Sequence, residues 1–434
     1  MISQRPRATP THAAVAATLM LAAGGALAQT ATEAELSRRL DQLAVELGRV
    51  KAQLAELQQQ KSAAPPPLAA APLPIATAPV APPPAEPATV LSSYGEINYN
   101  RPLHAPQDAQ ADLRRFVLGF QHRFDARTKV VTELEVEHAV SSAGDVGEVE
   151  VEQAFVERQL NPTWALRGGL FLMPAGLLNE NHEPTAFYGV ERNFVETRII
   201  PSTWREGGVQ FVGSFDSGLT LQTGVSTGFD LGKWDAASDE GRESPLGSIH
   251  QEMSLARASD LALFGALNWR GIPGLQLGGS LFAGNASQGQ RGVAKSRVTL
   301  WDLHARYTPG KWDLSSVYSR GTISNTAAFN TSLVGSPTLI PKSFDGWYGQ
   351  AAYHLWSSGD YTLSPFVRWE QFNTARSYAD LGAGLTPPGA RTERVVTVGA
   401  NFNIGSSIVL KADYQRFRED RDNNRFDLGL GWSF

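Results

Sequence analysis

Residues 425–434, Arg-Phe-Asp-Leu-Gly-Leu-Gly-Trp-Ser-Phe, put Phe426, Leu428, Leu430, Trp432 and Phe434 on one side of an extended strand. Asp427, Gly429, Gly431 and Ser433 fall on the other, because strand side chains alternate with period two. One face suits lipid or a core; the other is small or polar. A soluble sandwich strand and a lipid-facing strand share this pattern, so the rest of the chain has to decide between them.

Working back from that end, segments of roughly ten residues repeat the alternation. Examples are Val209, Phe211, Gly213, Phe215; Leu261, Leu263, Gly265, Leu267, Trp269; and Val396, Val398, Ala400, Phe402, Ile404. With Tyr94–Asn100, Glu148–Arg158 and the closing strand they total about sixteen. Their connections alternate in length. Tight turns occupy 124–127, 160–163, 216–218, 270–274, 308–311, 357–360 and 405–407. Longer polar stretches occupy 101–112, 229–251, 285–295, 324–344 and 373–392. Short turns on one rim and long loops on the other belong to a closed membrane barrel, and sandwiches have no reason to alternate so. Trp164, Trp269, Tyr307, Trp312, Trp356 and Trp432 near strand ends fit an interfacial girdle. The ending itself resembles the closing strand of a bacterial outer-membrane barrel. That resemblance implies that Phe434 is read by the barrel assembly machinery.

The amino-terminal part differs. Arg5 and Arg7 precede an apolar run from Ala13 to Leu27, and Ala26-Leu27-Ala28 is an A-x-A cleavage site, so residues 1–28 read as a secretory signal peptide. Residues 29–61 carry Leu36, Leu40, Leu43, Leu47, Val50, Leu54 and Leu57 at alternating spacings of four and three. That is the heptad seam of a short periplasmic coiled coil; an amphipathic helix lying on its own domain is the alternative. Residues 62–89 include ten prolines between Pro65 and Pro87 and read as an extended spacer. Residues 90–434 are then the barrel. The formal charge of −5 becomes −7 once Arg5 and Arg7 are removed, which makes nucleic acid an unsuitable partner. With no cysteine, disulfides and thiolate chemistry are excluded.

A sixteen-stranded barrel encloses water, so the second face of each strand should be polar. Arg115, Gln121 and Arg123; Glu133, Glu135 and Glu137; Glu148, Glu150, Glu152 and Arg158; Arg167; Arg306; and Arg368 all share the inward parity. Facing lipid at mid-depth, each charge would cost about 2–4 kcal/mol. Residues 173–206 break the alternation: the segment is too long for a turn, and Pro174, Pro184 and Pro201 deny it a sheet position. Its position after the fifth strand and its mixture of aromatic and charged residues predict a constriction loop folded into the barrel; a cap on the rim is the alternative.

Residues 168–213, GGLFLMPAGLLNENHEPTAFYGVERNFVETRIIPSTWREGGVQFVG, together with Tyr94-Gly-Glu-Ile-Asn98, resemble the phosphate-selective porin O/P family over most of residues 90–434. The resemblance implies a homotrimer in the outer membrane of a Gram-negative cell, with a constricted, anion-preferring pore for small solutes. The family is known for lysines near the constriction, whereas here only eight residues are Lys and none lies between Lys129 and Lys233. Arginine offers a permanently charged planar fork for phosphate or carboxylate. The candidate pore residues are Arg192, Arg198 and Arg205 in the inserted segment, with Arg115, Arg123, Arg167, Arg306 and Arg368 on the wall. Their alternative role is pairing with lumenal carboxylates. Glu133, Glu135, Glu137, Glu148, Glu150 and Glu152 form a candidate acidic wall opposite. A sugar-specific pore is the rival channel, with Phe187, Tyr188, Phe194 and Trp204 as an aromatic slide. No catalytic residue, metal site or cofactor is read: His182-Glu183-Pro184 lacks the second His a helical zinc site needs, and no Gly-x-Ser-x-Gly elbow or Walker loop occurs. An outer-membrane hydrolase or a plugged membrane anchor are the remaining classes.

Overall fold

The computed structural model describes residues 88–434 except 143 and 291–294, together with Gly48, Arg49 and Lys51, which are helical. By contacts the chain divides into two compact units, Met1–Pro83 and Pro84–Phe434. The signal peptide (1–28) lies outside the described residues, as do the coiled coil (29–61) but for those three positions and nearly all of the linker (62–89).

The second unit is a closed antiparallel barrel of sixteen strands, all sequential neighbours. They are β1 (Thr89–Pro102), β2 (Gln110–Arg123), β3 (Thr128–Glu137), β4 (Glu148–Gln159), β5 (Trp164–Leu172), β6 (Arg205–Ser214), β7 (Leu219–Ser226), β8 (Ala262–Ile272), β9 (Leu275–Asn285) and β10 (Arg297–Tyr307). They continue with β11 (Trp312–Ile323), β12 (Ser343–Tyr353), β13 (Tyr361–Ser377), β14 (Glu393–Ile404), β15 (Ile408–Phe417) and β16 (Arg425–Ser433). The short strand Trp356–Ser358 pairs with β13 in line with β12, so it prolongs β12 beyond an irregularity at His354 and Leu355. β16 closes on β1 from Tyr94↔Ser433 to Pro102↔Arg425. Beyond the ladder, Phe434 N donates to Ser93 O at 2.9 Å and Ser93 N to Phe434 O at 3.0 Å. Closure leaves no unpaired edge in hydrocarbon, which is the condition for sheet to cross a membrane.

Short turns at 124–127, 160–163, 215–218, 273–274, 308–311, 359–360 and 405–407 gather on one rim, and the eight longer connections on the other. Outward positions carry exposed apolar residues such as Leu118, Val209, Leu263, Leu303 and Val398. Among the described residues no helix is long and apolar enough to cross a membrane; the strands do the crossing.

Two β-bulges shift the inward register away from simple alternation. In β4, Glu133 pairs with Gln153 and Leu134 with Val151, so Glu152 is the extra residue. Before it 148, 150 and 152 face inward; after it 155, 157 and 159 do. Arg158, expected inward by counting from Glu148, therefore faces outward, where it pairs with Asp125 at 3.1 Å near the short-turn rim. In β2, Arg115 opposes Glu96 and Leu113 opposes Ile97, leaving Arg114 as the extra residue. A bulge re-aims side chains locally, and here it brings two successive arginines toward the lumen.

Candidate functional site

The segment between β5 and β6 folds into the barrel and crosses its lumen. Its neck is tied by Asn179, which donates to Met173 O (2.7 Å) and Trp204 O (2.8 Å) and accepts from Trp204 N (2.7 Å). Inside, Glu196 accepts from Leu177 N (2.6 Å), Leu178 N (2.7 Å), Asn193 Nδ2 (2.7 Å) and Tyr348 OH of β12 (3.1 Å). Burial pushes its carboxyl up from the usual range, and these donors oppose that shift. Prolines that forbid a ladder and one carboxylate that gathers its donors give the segment a fixed non-sheet path.

Wall contacts hold the loop around most of the circumference. Gln222 of β7 donates to Glu180 at 2.7 Å, and Tyr94 OH of β1 meets His182 Nε2 at 2.6 Å. Val190 N donates to Asp413 Oδ2 of β15 at 2.6 Å, and Phe194 N to Glu370 Oε1 of β13 at 2.7 Å. Asn401 of β14 donates to Phe187 O at 3.0 Å. The two glycines of β16 are notches for the loop: a Cβ on Gly431 would sit 2.5 Å from Pro184 Cβ, and one on Gly429 3.2 Å from Val190 Cγ1. We expect Gly431→Ala to cost about 1–3 kcal/mol by overpacking. The readout is a lower temperature at which the folded band disappears on a gel. Gly168→Ala, where nothing lies within 4 Å, should leave it unchanged.

The opposite side of the loop is apolar. Val195, Ile199, Ile200 and Trp204 pack with Phe229, Leu231, Leu246 and Ile249 of the connection after β7, and with Phe264, Phe282, Val298, Leu300, Val317 and Phe344 from β8–β12. The expectation of a uniformly polar inner face is corrected here: toward the long-loop rim of β8–β12 the inward positions are hydrophobic because folded loops, not water, cover them.

Water-accessible space remains on both sides of the loop. Toward the long-loop rim a cavity of about 560 Å³ is lined by Arg114, Arg115, Arg192, Arg198 and Arg425, facing Glu96, Asp108 and Glu191. Toward the short-turn rim a cavity of about 310 Å³ is lined by Arg270, Arg306 and Arg368, with Glu180 and Asp313, and by Tyr188, Tyr348 and several amides. A third space of about 370 Å³ shares Phe187, Tyr188, Arg306 and Asp313 with it.

The arginines expected to line a pore fall into distinct settings. Arg192 is buried at the upper cavity, and its hydrogen-bond partners are the neutral Ser202 Oγ (2.9 Å), Thr203 Oγ1 (2.9 Å) and His182 O (3.4 Å). Burial first, and the neighbouring Arg115 guanidinium second, hold its pKa below the ordinary arginine value. Arg198 lines the same cavity and pairs with Glu243 at 2.7 Å. Arg115 pairs with Glu96 (2.8 Å) and Glu135 (3.4 Å), Arg167 with Glu157 (2.7 Å), and Arg306 with Asp313 through two bonds of 3.0 and 2.6 Å. Arg368 pairs with Glu370 (3.0 Å) and donates to Tyr188 O (3.1 Å), so it anchors the loop as well as lining the lower cavity. Arg123 lies at the short-turn end of β2. Arg205 is placed elsewhere: it follows the outward parity of Gly207 and Val209 on β6, and is buried at the rim between Glu150 (2.5 Å) and Glu252 (2.9 Å).

The six glutamates do come together on β3 and β4. Glu135 opposes Glu150 and Glu137 opposes Glu148, while the bulge puts Gln153 rather than a carboxylate opposite Glu133, to which it donates at 2.6 Å. Glu152 accepts from Tyr94 OH at 2.8 Å and lies 3.4 Å from His182 Nε2. Like charges in register are tolerated because Arg115, Arg205, Tyr94 and His182 intervene. Arg114 had no signal in simple alternation and reaches its cavity through the bulge, whereas Arg425 on β16 and Arg270 on β8 share the inward parity of Asp427 and Asn268 and follow from counting along their strands.

Of the four aromatics proposed for a slide, Trp204 is enclosed by Phe229 and Phe282, Phe187 and Tyr188 line the cavity toward the short-turn rim, and Phe194, stacked on Phe372, borders the one toward the long-loop rim, so the loop separates them rather than setting them in one row. Ser280, Asp302 and His304 cluster on β9 and β10, but Ser280 bonds to Asp302, and His304 Nε2 meets Asn268 Oδ1 at 2.7 Å rather than a nucleophile.

No known family's sequence profile matches the chain. An uncharacterised protein of Aquifex aeolicus strain VF5 is 28% identical over 358 residues, 79% of each chain. Among solved structures, Salmonella typhi OmpF in its complex with daunomycin superposes with a TM-score of 0.54 at 14% identity, over 80% of this chain and 97% of that one. An anion-selective porin from Comamonas acidovorans gives 0.49 at 12% identity, over 80% and 99%. The OmpF likeness establishes the shared barrel fold.

Proposed function

We propose that the protein is an outer-membrane channel for passive diffusion of small anionic solutes, phosphate or dicarboxylates among them. One observation carries this reading. The chain as a whole is acidic, yet the lining of both principal cavities is locally basic: five arginines against three carboxylates above the loop, three against two below. A narrow water-filled passage with excess fixed positive charge lowers the barrier for anions, provided no site holds them too tightly to leave. Arg192 supports it further, since its hydrogen-bond partners Ser202, Thr203 and His182 O are all neutral.

The reading includes a secretory signal at 1–28, a periplasmic coiled coil at 29–61, a spacer at 62–89, a homotrimer and recognition of Phe434 during assembly. Resemblance to the phosphate-selective porin O/P family favours it, as does the heptad seam. The decisive experiment is reversal-potential measurement in planar bilayers with chloride, phosphate and succinate. The expected result is anion preference with all three salts. Equal permeability of both ions would favour the sugar or general pore, and absence of conductance would leave only the anchor or hydrolase.

A further inference from the structure

We propose that the tip Glu252–Leu255 of the connection between β7 and β8 is a membrane anchor that folds over the barrel rim and inserts Met253 and Leu255 among lipid acyl chains. Three of its four residues, Glu252, Met253 and Leu255, have left-handed backbone (φ 52, 56 and 51°), a conformation that side-chain-bearing residues adopt at a cost. Such strain persists where surroundings enforce it, and here they do. Arg205, almost wholly buried, grips Glu252 at 2.9 Å while holding Glu150 at 2.5 Å. Gln251 closes the base of the turn: its Nε2 donates to Gly228 O (2.6 Å) and Arg257 O (3.0 Å), and its Oε1 accepts from Arg257 N (2.7 Å).

What this clamp presents is apolar and faces out. A Cβ on Gly207 would lie 2.0 Å from the Met253 sulfur. Gly207 shares the outward parity of Val209 and Phe211, so Met253 lies on the outside of the barrel wall. Leu255 is 101% exposed, and the chain re-enters β8 through Leu261 and Leu263, exposed members of the lipid-facing belt. A strained turn that holds a leucine wholly in water would be purposeless. Continuity with the belt selects hydrocarbon as the occupant, and apolar burial supplies the return. Arg205, drawn from the same arginine-rich stretch as Arg192 and Arg198, thus serves as a positioning residue for the anchor.

The chain has no cysteine, so single labels are clean. Leu255→Cys would carry an environment-sensitive fluorophore in phosphatidylcholine vesicles with acyl chains brominated near the headgroup. Leu263→Cys serves as the lipid reference and Leu385→Cys as the loop reference. The label at 255 should be quenched at least about half as strongly as that at 263, with little quenching at 385. Adding Arg205→Gln should reduce quenching at 255 and leave 263 unchanged. A label at 255 that escapes quenching while 263 is quenched overturns the anchor, whether its emission reports water or burial against a second copy. Unchanged quenching in the Arg205→Gln background overturns the clamp.

Discussion

Replacing Arg114, Arg192 and Arg198 together by Ala should turn the channel from anion-preferring to cation-preferring, with the reversal potential in a KCl gradient changing sign. The lining of the upper cavity goes from five arginines and three carboxylates to two and three. A unit charge about 8 Å from the permeation path contributes on the order of 1 kcal/mol at an effective permittivity between those of protein and water. Its sign is opposite for the two ions. Screening over a Debye length of about 8–10 Å reduces this at physiological salt, so the measurement belongs at low ionic strength. A fall of roughly tenfold in the anion-to-cation permeability ratio follows from three such charges, even allowing for partial screening. Removing Arg198 also releases Glu243, which adds to the effect. Arg158→Ala is the control: that residue is as charged as the others, but faces outward near the short-turn rim and pairs with Asp125, and it should change the ratio by less than about twofold. If the triple variant keeps its anion preference, the upper cavity is not on the path.

The contrast between Arg158 and Arg114 shows where sequence reading succeeds and where it stops. Period-two alternation and alternating connection lengths determine strand number and closure, because each is a repeated, redundant signal; the inward loop is legible only as the one segment that breaks both patterns. Both arginines sit at or beyond a bulge, and a single inserted residue reverses parity for everything after it. Nothing in Glu148–Arg158 marks Glu152 as the extra residue. The apolar upper interior was partly legible, since Phe264, Phe282 and Val298 occupy inward positions, but its meaning depends on Phe229, Leu246 and Ile249 folding back from a distant loop. Arg205 carried the same one-letter signal as Arg192 and Arg198. Only three-dimensional placement separates a residue at the cavity from one clamped between two carboxylates at the rim.

Glu196→Ala should detach the constriction loop and raise single-channel conductance severalfold, with excess open-channel noise. The carboxylate is the common acceptor for Leu177 N, Leu178 N, Asn193 Nδ2 and Tyr348 OH, and it is buried. Truncation leaves four donors without a partner, each costing about 1–3 kcal/mol unless water reaches it. All four donor residues border the cavity toward the short-turn rim, so hydration recovers part of that cost. Even so, docking weakens by at least about 3 kcal/mol, enough to raise the undocked population by more than a hundredfold. Glu196→Gln separates the hydrogen-bond role from charge. Its carbonyl can still serve the two backbone donors and its amide can donate to Tyr348 Oη, but that amide faces the Asn193 Nδ2 donor, so its conductance should lie between wild type and Glu196→Ala. Trypsin gives an independent reading: Arg192 is buried and Arg198 is ion-paired in the docked loop, and both become cleavable once it undocks. Wild-type conductance and protease resistance in Glu196→Ala would mean that the wall contacts through Asp413, Glu370 and Arg368 suffice without the carboxylate. The loop would then be fastened from its rim rather than from its centre.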